Sequence, residues 1–179
     1  MSNFGSADLH LGHTKIIDFC NRPFKSVDEM DETIINNYNK RIKEKDTCYI
    51  IGDFALAHID KVNYYMNSLN GKKILIMGNH DHVFLKNKRF INKFEEVHLF
   101  GLERKFNNVL ITMCHYPMMR WNKSHYGAIH LYGHVHNSNS IIDLSGMMNV
   151  GQDVNNFFPF SFKEIIERNK EHIEKGLKK

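Results

Sequence analysis

Four short apolar runs, at residues 4–7, 49–51, 74–77 and 109–114, each end in polar, turn-forming residues. Runs of this length without helical spacing predict buried strands. Between them the spacing changes to that of helices. Residues 15–20 predict a short helix. Ser26 and Glu29 form a capping box ahead of a longer one, with Met30, Ile34, Tyr38 and Ile42 on its buried face. A third helix turns Ile59, Val62, Met66 and Leu69 inward, and Gly71 stops it. The second half is richer in strands, predicted near 97–99, 102–106, 109–114, 129–132, 141–144 and 148–150, with Asn107-Asn108 as a tight hairpin turn. Ser161 and Glu164 make a second capping box, opening one final helix towards Gly176 with Ile165, Ile166, Ile173 and Leu177 on or near one face. This order predicts an α/β protein of two packed sheets with helices outside, forming one domain over residues 1–179.

The residues at the strand ends carry the chemistry. They are Asp8 and His10, Asp53, Asn79, His115, and finally His134 and His136. Ligands at the ends of buried strands converge on one sheet edge, where an α/β protein places its site. A carboxylate able to bridge, an amide oxygen and several imidazoles form an O/N set that two adjacent ions can use, suited to Mn, Fe, Co or Zn. In Gly133-His134-Val135-His136, alternation along an extended segment would put both imidazoles on one side. The glycines before Asp53, Asn79 and His134 suit sharp turns.

In the order Asp-x-His, Gly-Asp, Gly-Asn-His-Asp, His, Gly-His-x-His, the chain resembles the calcineurin-like metallophosphoesterase family over residues 8–136. The stretches 8–13, 19–24 and 115–118 resemble its small stand-alone bacterial and viral members more narrowly. Gly5 and Ala7 stand where relatives often carry bulkier or hydroxyl residues. The resemblance implies a sandwich of two mixed sheets and a binuclear phosphoesterase, hydrolysing P–O bonds by in-line attack of a bridging water or hydroxide. Asp53 would bridge two divalent ions, manganese first among iron, zinc, cobalt, nickel and magnesium. Asp8, His10 and His136 would complete one site, and Asn79, His115 and His134 the other. His80 would act on the phosphoryl group as proton donor or charge stabiliser. Asp81 is a candidate to orient His80 or to cap a helix. His13 and His82 are candidates to line the substrate pocket. Arg22 and Arg120 are candidate phosphate clamps, since guanidinium matches phosphate oxygens in a fork; the alternative for each is a surface position packed on a ring.

The expected substrate is a phosphoester, a diester ahead of a monoester, with nucleotides and nucleic acid among the candidates. The rival from another class is a metal-binding scaffold of the same fold without catalysis. Composition narrows this little. The net charge of +4, 42% hydrophobic and 25% charged residues are ordinary for a globular chain, and the lysines form no run that marks a nucleic-acid patch. Three cysteines without motif spacing argue against a disulfide framework and for a reducing, cytoplasmic setting. No apolar stretch approaches the ~20 residues that span a bilayer.

Overall fold

The computed structural model describes residues 1–84, 87–138 and 144–178. Strands β1 (Asn3–Ser6), β2 (Thr47–Ile51), β3 (Lys72–Ile76) and β4 (Glu96–His98) pair in parallel, and β9 (Phe160–Ser161) joins antiparallel to β1. Their order is β4-β3-β2-β1-β9. A second sheet has the order β5-β6-β7-β8, from β5 (Gly101–Phe106), β6 (Val109–Cys114), β7 (Ile129–Tyr132) and β8 (Met147–Asn149). There β5 and β6 are antiparallel and the other pairs parallel. Both sheets are therefore mixed, and the two-sheet α/β architecture expected from the sequence is present.

Two apolar layers explain the continuous strand runs. Cys48 and Ile50 of β2 face helices α1 (Lys15–Phe19), α2 (Val27–Arg41) and α3 (Ile59–Ser68), through Ile16, Met30, Ile34, Tyr38, Val62 and Met66. Tyr49 and Ile51 point the other way, into a core between the sheets with Ile74, Ile76, Ile111, Met113, Ile129 and Leu131. A parallel strand covered on both faces has no polar side, so it reads as an unbroken apolar run. Gly5 leaves room for Phe162, whose ring atom would lie 3.4 Å from an added Cβ.

Several local expectations need correction. Ser26 accepts from the Glu29 amide, but the Glu29 carboxylate returns to Lys25 N instead of Ser26 N, so this box is half formed. At Ser161 both bonds are present. The single final helix is two, α5 (Phe162–Arg168) and α6 (Lys170–Leu177), because Asn169 turns its side-chain amide onto Ile165 O at 2.9 Å. A one-turn helix, α4 (Lys88–Ile91), and β9 carried no periodic signal. The hairpin turn is as expected, with Asn107 and Asn108 at φ 46° and 68°. The strand expected at 141–144 lies largely outside the described residues. Among the described residues no helix is long and apolar enough to cross a membrane.

Candidate metal centre

Parallel register brings the first of the expected ligands to one level. Ser6 pairs with Ile50, and Ile50 with Leu75, so the segments after β1, β2 and β3 leave the same sheet edge together. Asp8 N then donates to Gly52 O and His10 N to Asp53 O, tying the two loops. In the second sheet Met113 pairs with Leu131, and Gly133 N donates to His115 O. The sheets meet at this edge, where Ala7 N donates to Val150 O and Gln152 N to Ala7 O.

Five of the seven expected ligands, Asp8, His10, Asp53, His134 and His136, have left-handed backbones, with φ between 50° and 71°. Asp and His tolerate that region better than most residues, yet such strain collects at functional sites. It also corrects the reading of Gly133-His134-Val135-His136, which is a pair of tight turns and not an extended segment. His134 and His136 consequently part company. His134 Nδ1 lies 3.0 Å from Asn79 Oδ1, and the His136 ring lies 5.1 Å from that of His10. Of the three glycines only Gly52, at φ +84°, needs conformational freedom. Gly78 and Gly133 are demanded by space, since an added Cβ would sit 2.3 Å from Asp53 Oδ1 and 2.5 Å from Asp8 Oδ2.

At the centre, Asp53 Oδ2 lies 3.5 Å from His10 Nε2 and 3.5 Å from His115 Nε2. Its other oxygen accepts from His80 N at 2.9 Å. His115 Nδ1 donates to Ile51 O, which turns Nε2 and its lone pair towards Asp53 and towards Asn79 Oδ1, 3.1 Å away. Acceptors converging in this way repel unless a cation or a proton lies among them. His10 Nε2 makes the same demand: it is buried and has no hydrogen-bond partner. Asp8, His10 and His136 offer ligand atoms within 4.8 Å of one another, as do Asp8, Asp53 and His115. The donor set therefore fits divalent ions, and Asp8 neighbours both groups, not only the first.

Charge follows from burial and partners. Burial pushes the Asp8 carboxyl up to about 6 and the His10 imidazole down to about 2. Burial also opposes ionisation of Asp53, but the His115 side chain outweighs it and brings the group down to about 2. His115 is raised above its ordinary value, because the Asp53 carboxylate outweighs its burial.

His80 and His13 join the cluster, with the His80 ring 5.5 Å from that of His10 and 6.0 Å from that of His13. His82 is exposed. Asp81 acts on the backbone of the turn and not on the His80 ring. It is buried, and its carboxylate accepts from the amides of Asp53, Phe54 and Gly78, bracing the loops that carry Asp53 and Asn79. Arg22 is not a phosphate clamp. Its guanidinium is buried and donates to both oxygens of Asp153 and to the carbonyls of Asp8 and Leu9. Arg120 is exposed.

Asp153 was not singled out by the sequence. One oxygen accepts from Arg22 Nε at 2.8 Å, and the other from Arg22 Nη2 and from His136 Nδ1, at 3.0 and 2.8 Å. It therefore supports two ligands, His136 directly and Asp8 through Arg22. Burial works against a charged His136, but hydrogen bonds to Asp153 and Cys20 and the charge of Asp8 outweigh it and raise the imidazole to about 10. Cys20 also lies within reach of His136 and Asp153, but Arg22 already supplies the positive charge there. The one signal for Asp153 was indirect: an arginine buried beside a ligand loop requires a carboxylate.

Fold and cluster together define a two-sheet α/β protein with a candidate metal centre where the sheets meet. No protein-family model matches the chain. It is 31% identical over 178 residues to the uncharacterized protein MJ1445 of Methanocaldococcus jannaschii, covering 95% of this chain and 90% of that one, and it belongs to the same family. The Gene 66 protein of Mycobacterium phage L5 is 31% identical over 85 residues, 45% of this chain and 41% of the phage protein. The crystal structure of the protein of unknown function AQ665 from Aquifex aeolicus is similar in fold, with a TM-score of 0.75 and 27% identity over 93% of this chain and 98% of that one.

Proposed function

We propose that the protein is a metal-dependent phosphoesterase of the calcineurin-like type, acting on phosphodiesters. The observation that carries this is the centre itself: one carboxylate oxygen, Asp53 Oδ2, stands 3.5 Å from two imidazole nitrogens, and one of these, His10 Nε2, is buried without a hydrogen bond. Asp53 would be shared by two ions, with Asp8, His10 and His136 on one and Asn79, His115 and His134 on the other. Bound there, two divalent ions, manganese first, supply a nucleophile at neutral pH and offset the charge of the phosphoryl oxygens.

The chain's own residues do the rest. Asp53 and Asp81 fix the Gly78-Asn79-His80 turn from both sides, which holds His80 beside the cluster. As water oxygen bonds to phosphorus and the opposite P–O ester bond breaks, His80 gives its proton to the departing oxygen, and the proton from water passes to solvent. The diester preference is favoured by the scarcity of cations. With Arg22 committed to Asp153, only Arg120 of the two expected clamps is exposed, and a diester carries less charge to be held.

The test is kcat/KM with added manganese for bis-nitrophenyl phosphate against nitrophenyl phosphate, then a cyclic nucleotide against the matching monophosphate. Higher values for the diester in both pairs are expected. A monoester preference in both would recast the protein as a phosphatase, and metal binding without any turnover would recast it as a scaffold.

A further inference from the structure

Aromatic rings continue the histidine cluster past both of its ends. Beyond His10, the His13 ring lies 5.2 Å away, and Phe19 stands edge-on to His13 at 6.5 Å. Beyond His115, Tyr116 stands edge-on to it at 5.2 Å and to His134 at 4.8 Å. Phe19 is 71% exposed and Tyr116 38%. Rings left in water beside a polar centre are free to stack with a flat group of a ligand held there.

Both rings are well held. Phe19 closes α1, which is anchored by buried Ile16, and exposed Lys15 shares its face at i,i+4 spacing. Tyr116 follows His115, and Met118 N is tied to Nε2 of buried His130 at 3.1 Å. Two exposed rings bordering one candidate phosphoryl site match a phosphodiester with a flat group on each side.

We infer that Phe19 and Tyr116 are stacking platforms for the bases on either side of the scissile phosphate, so that the substrate is a short single-stranded nucleic acid. This rests on the phosphodiesterase reading above. Stacking on an aromatic ring accepts any base, since every base has a π-face. A duplex keeps its bases stacked inside the helix and offers them to neither ring.

The experiment has two arms. In the first, fluorescence anisotropy with chelator-treated protein compares labelled oligothymidylate with an abasic strand of equal length and charge. Oligothymidylate should bind more tightly, and Phe19→Ala and Tyr116→Ala should each weaken it about fivefold or more. Tyr116→Phe, which keeps the ring, should bind as wild type does. Equal affinity for the abasic strand, alanine variants indistinguishable from wild type, or preference for duplex would overturn the proposal. In the second arm, manganese-loaded protein is assayed on methyl nitrophenyl phosphate, which has one ring and cannot stack on both platforms. The alanine variants should lose at least fivefold less on it than on the oligonucleotide, and equal losses on both would also overturn the proposal. Absence of turnover by wild type on this substrate, with the first arm positive, would instead strike the phosphodiesterase reading and leave the platforms standing.

Discussion

Removal of the Asp153 carboxylate should harm both the fold and the centre, by separable amounts. The side chains of Arg22 and Asp153 are 0% and 3% exposed, so Asp153→Ala leaves a buried guanidinium without its counter-charge. Breaking a buried pair in this way costs about 3–5 kcal/mol. For a chain of this size each kcal/mol shifts Tm by about 2–4 °C, giving a fall of roughly 6–20 °C. Asp153→Asn is milder for the fold, because one oxygen remains for Arg22. It cannot accept from three N–H groups at once, and its amide group would face donors. His136 then loses the bond that fixes its tautomer, and loss of such support typically weakens metal binding by about 10–100-fold. The assay is competition with a chromogenic chelator for manganese and zinc, paired with thermal melts of the metal-free proteins. Wild-type metal affinity in Asp153→Asn, or an unchanged Tm in Asp153→Ala, would refute the two-sided role of this carboxylate.

Asp53→Asn should weaken both ions together, because the Oδ2 position is shared; elemental analysis showing one ion retained at full affinity would remove Asp53 from that position. His80→Ala should keep the metals and the Tm while lowering kcat by about 10²–10⁴, with smaller losses for acidic leaving groups. Equal losses for good and poor leaving groups would leave His80 a role in charge stabilisation alone. A pH effect should appear in the metal-free protein. His136 is raised from 6.5 to about 10 in the fold, so its stabilisation is complete below 6.5 and disappears as pH rises through about 10. Thermal melts should show Tm falling across that window, less steeply in Asp153→Asn, and metal binding at neutral pH should release a proton measurable by calorimetry in buffers of different ionisation enthalpy.

The strands and the polar residues that gather at their ends were legible because they obey local rules. A strand buried on both faces leaves an apolar run, and the polar residue that follows it stands out. Asp153 obeys no such rule: it lies 131 residues from Arg22, and only folding makes them a pair. The break at Asn169 was hidden because the apolar positions of α5 and α6 continue across it, while the cause is a side-chain bond to Ile165 O. The turns at His134 and His136 were misread as extended because a Gly-His-x-His pattern is compatible with alternation. The left-handed backbone at His134 aims its N–H at the Asp8 carboxylate.

The meeting of the two sheets at the centre also bears on how the protein is made. Asp8 precedes His134, His136 and Asp153 by more than 120 residues. The first sheet and its helices can begin to assemble with Asp8, His10, Asp53 and Asn79 grouped at one edge, but on the proposed reading that group alone would have too few nitrogen donors to select a metal. Selectivity would arrive only when β7 and the Asp153 turn dock against β1. A chain cut before His115 would keep an oxygen-rich half-site that discriminates poorly among ions.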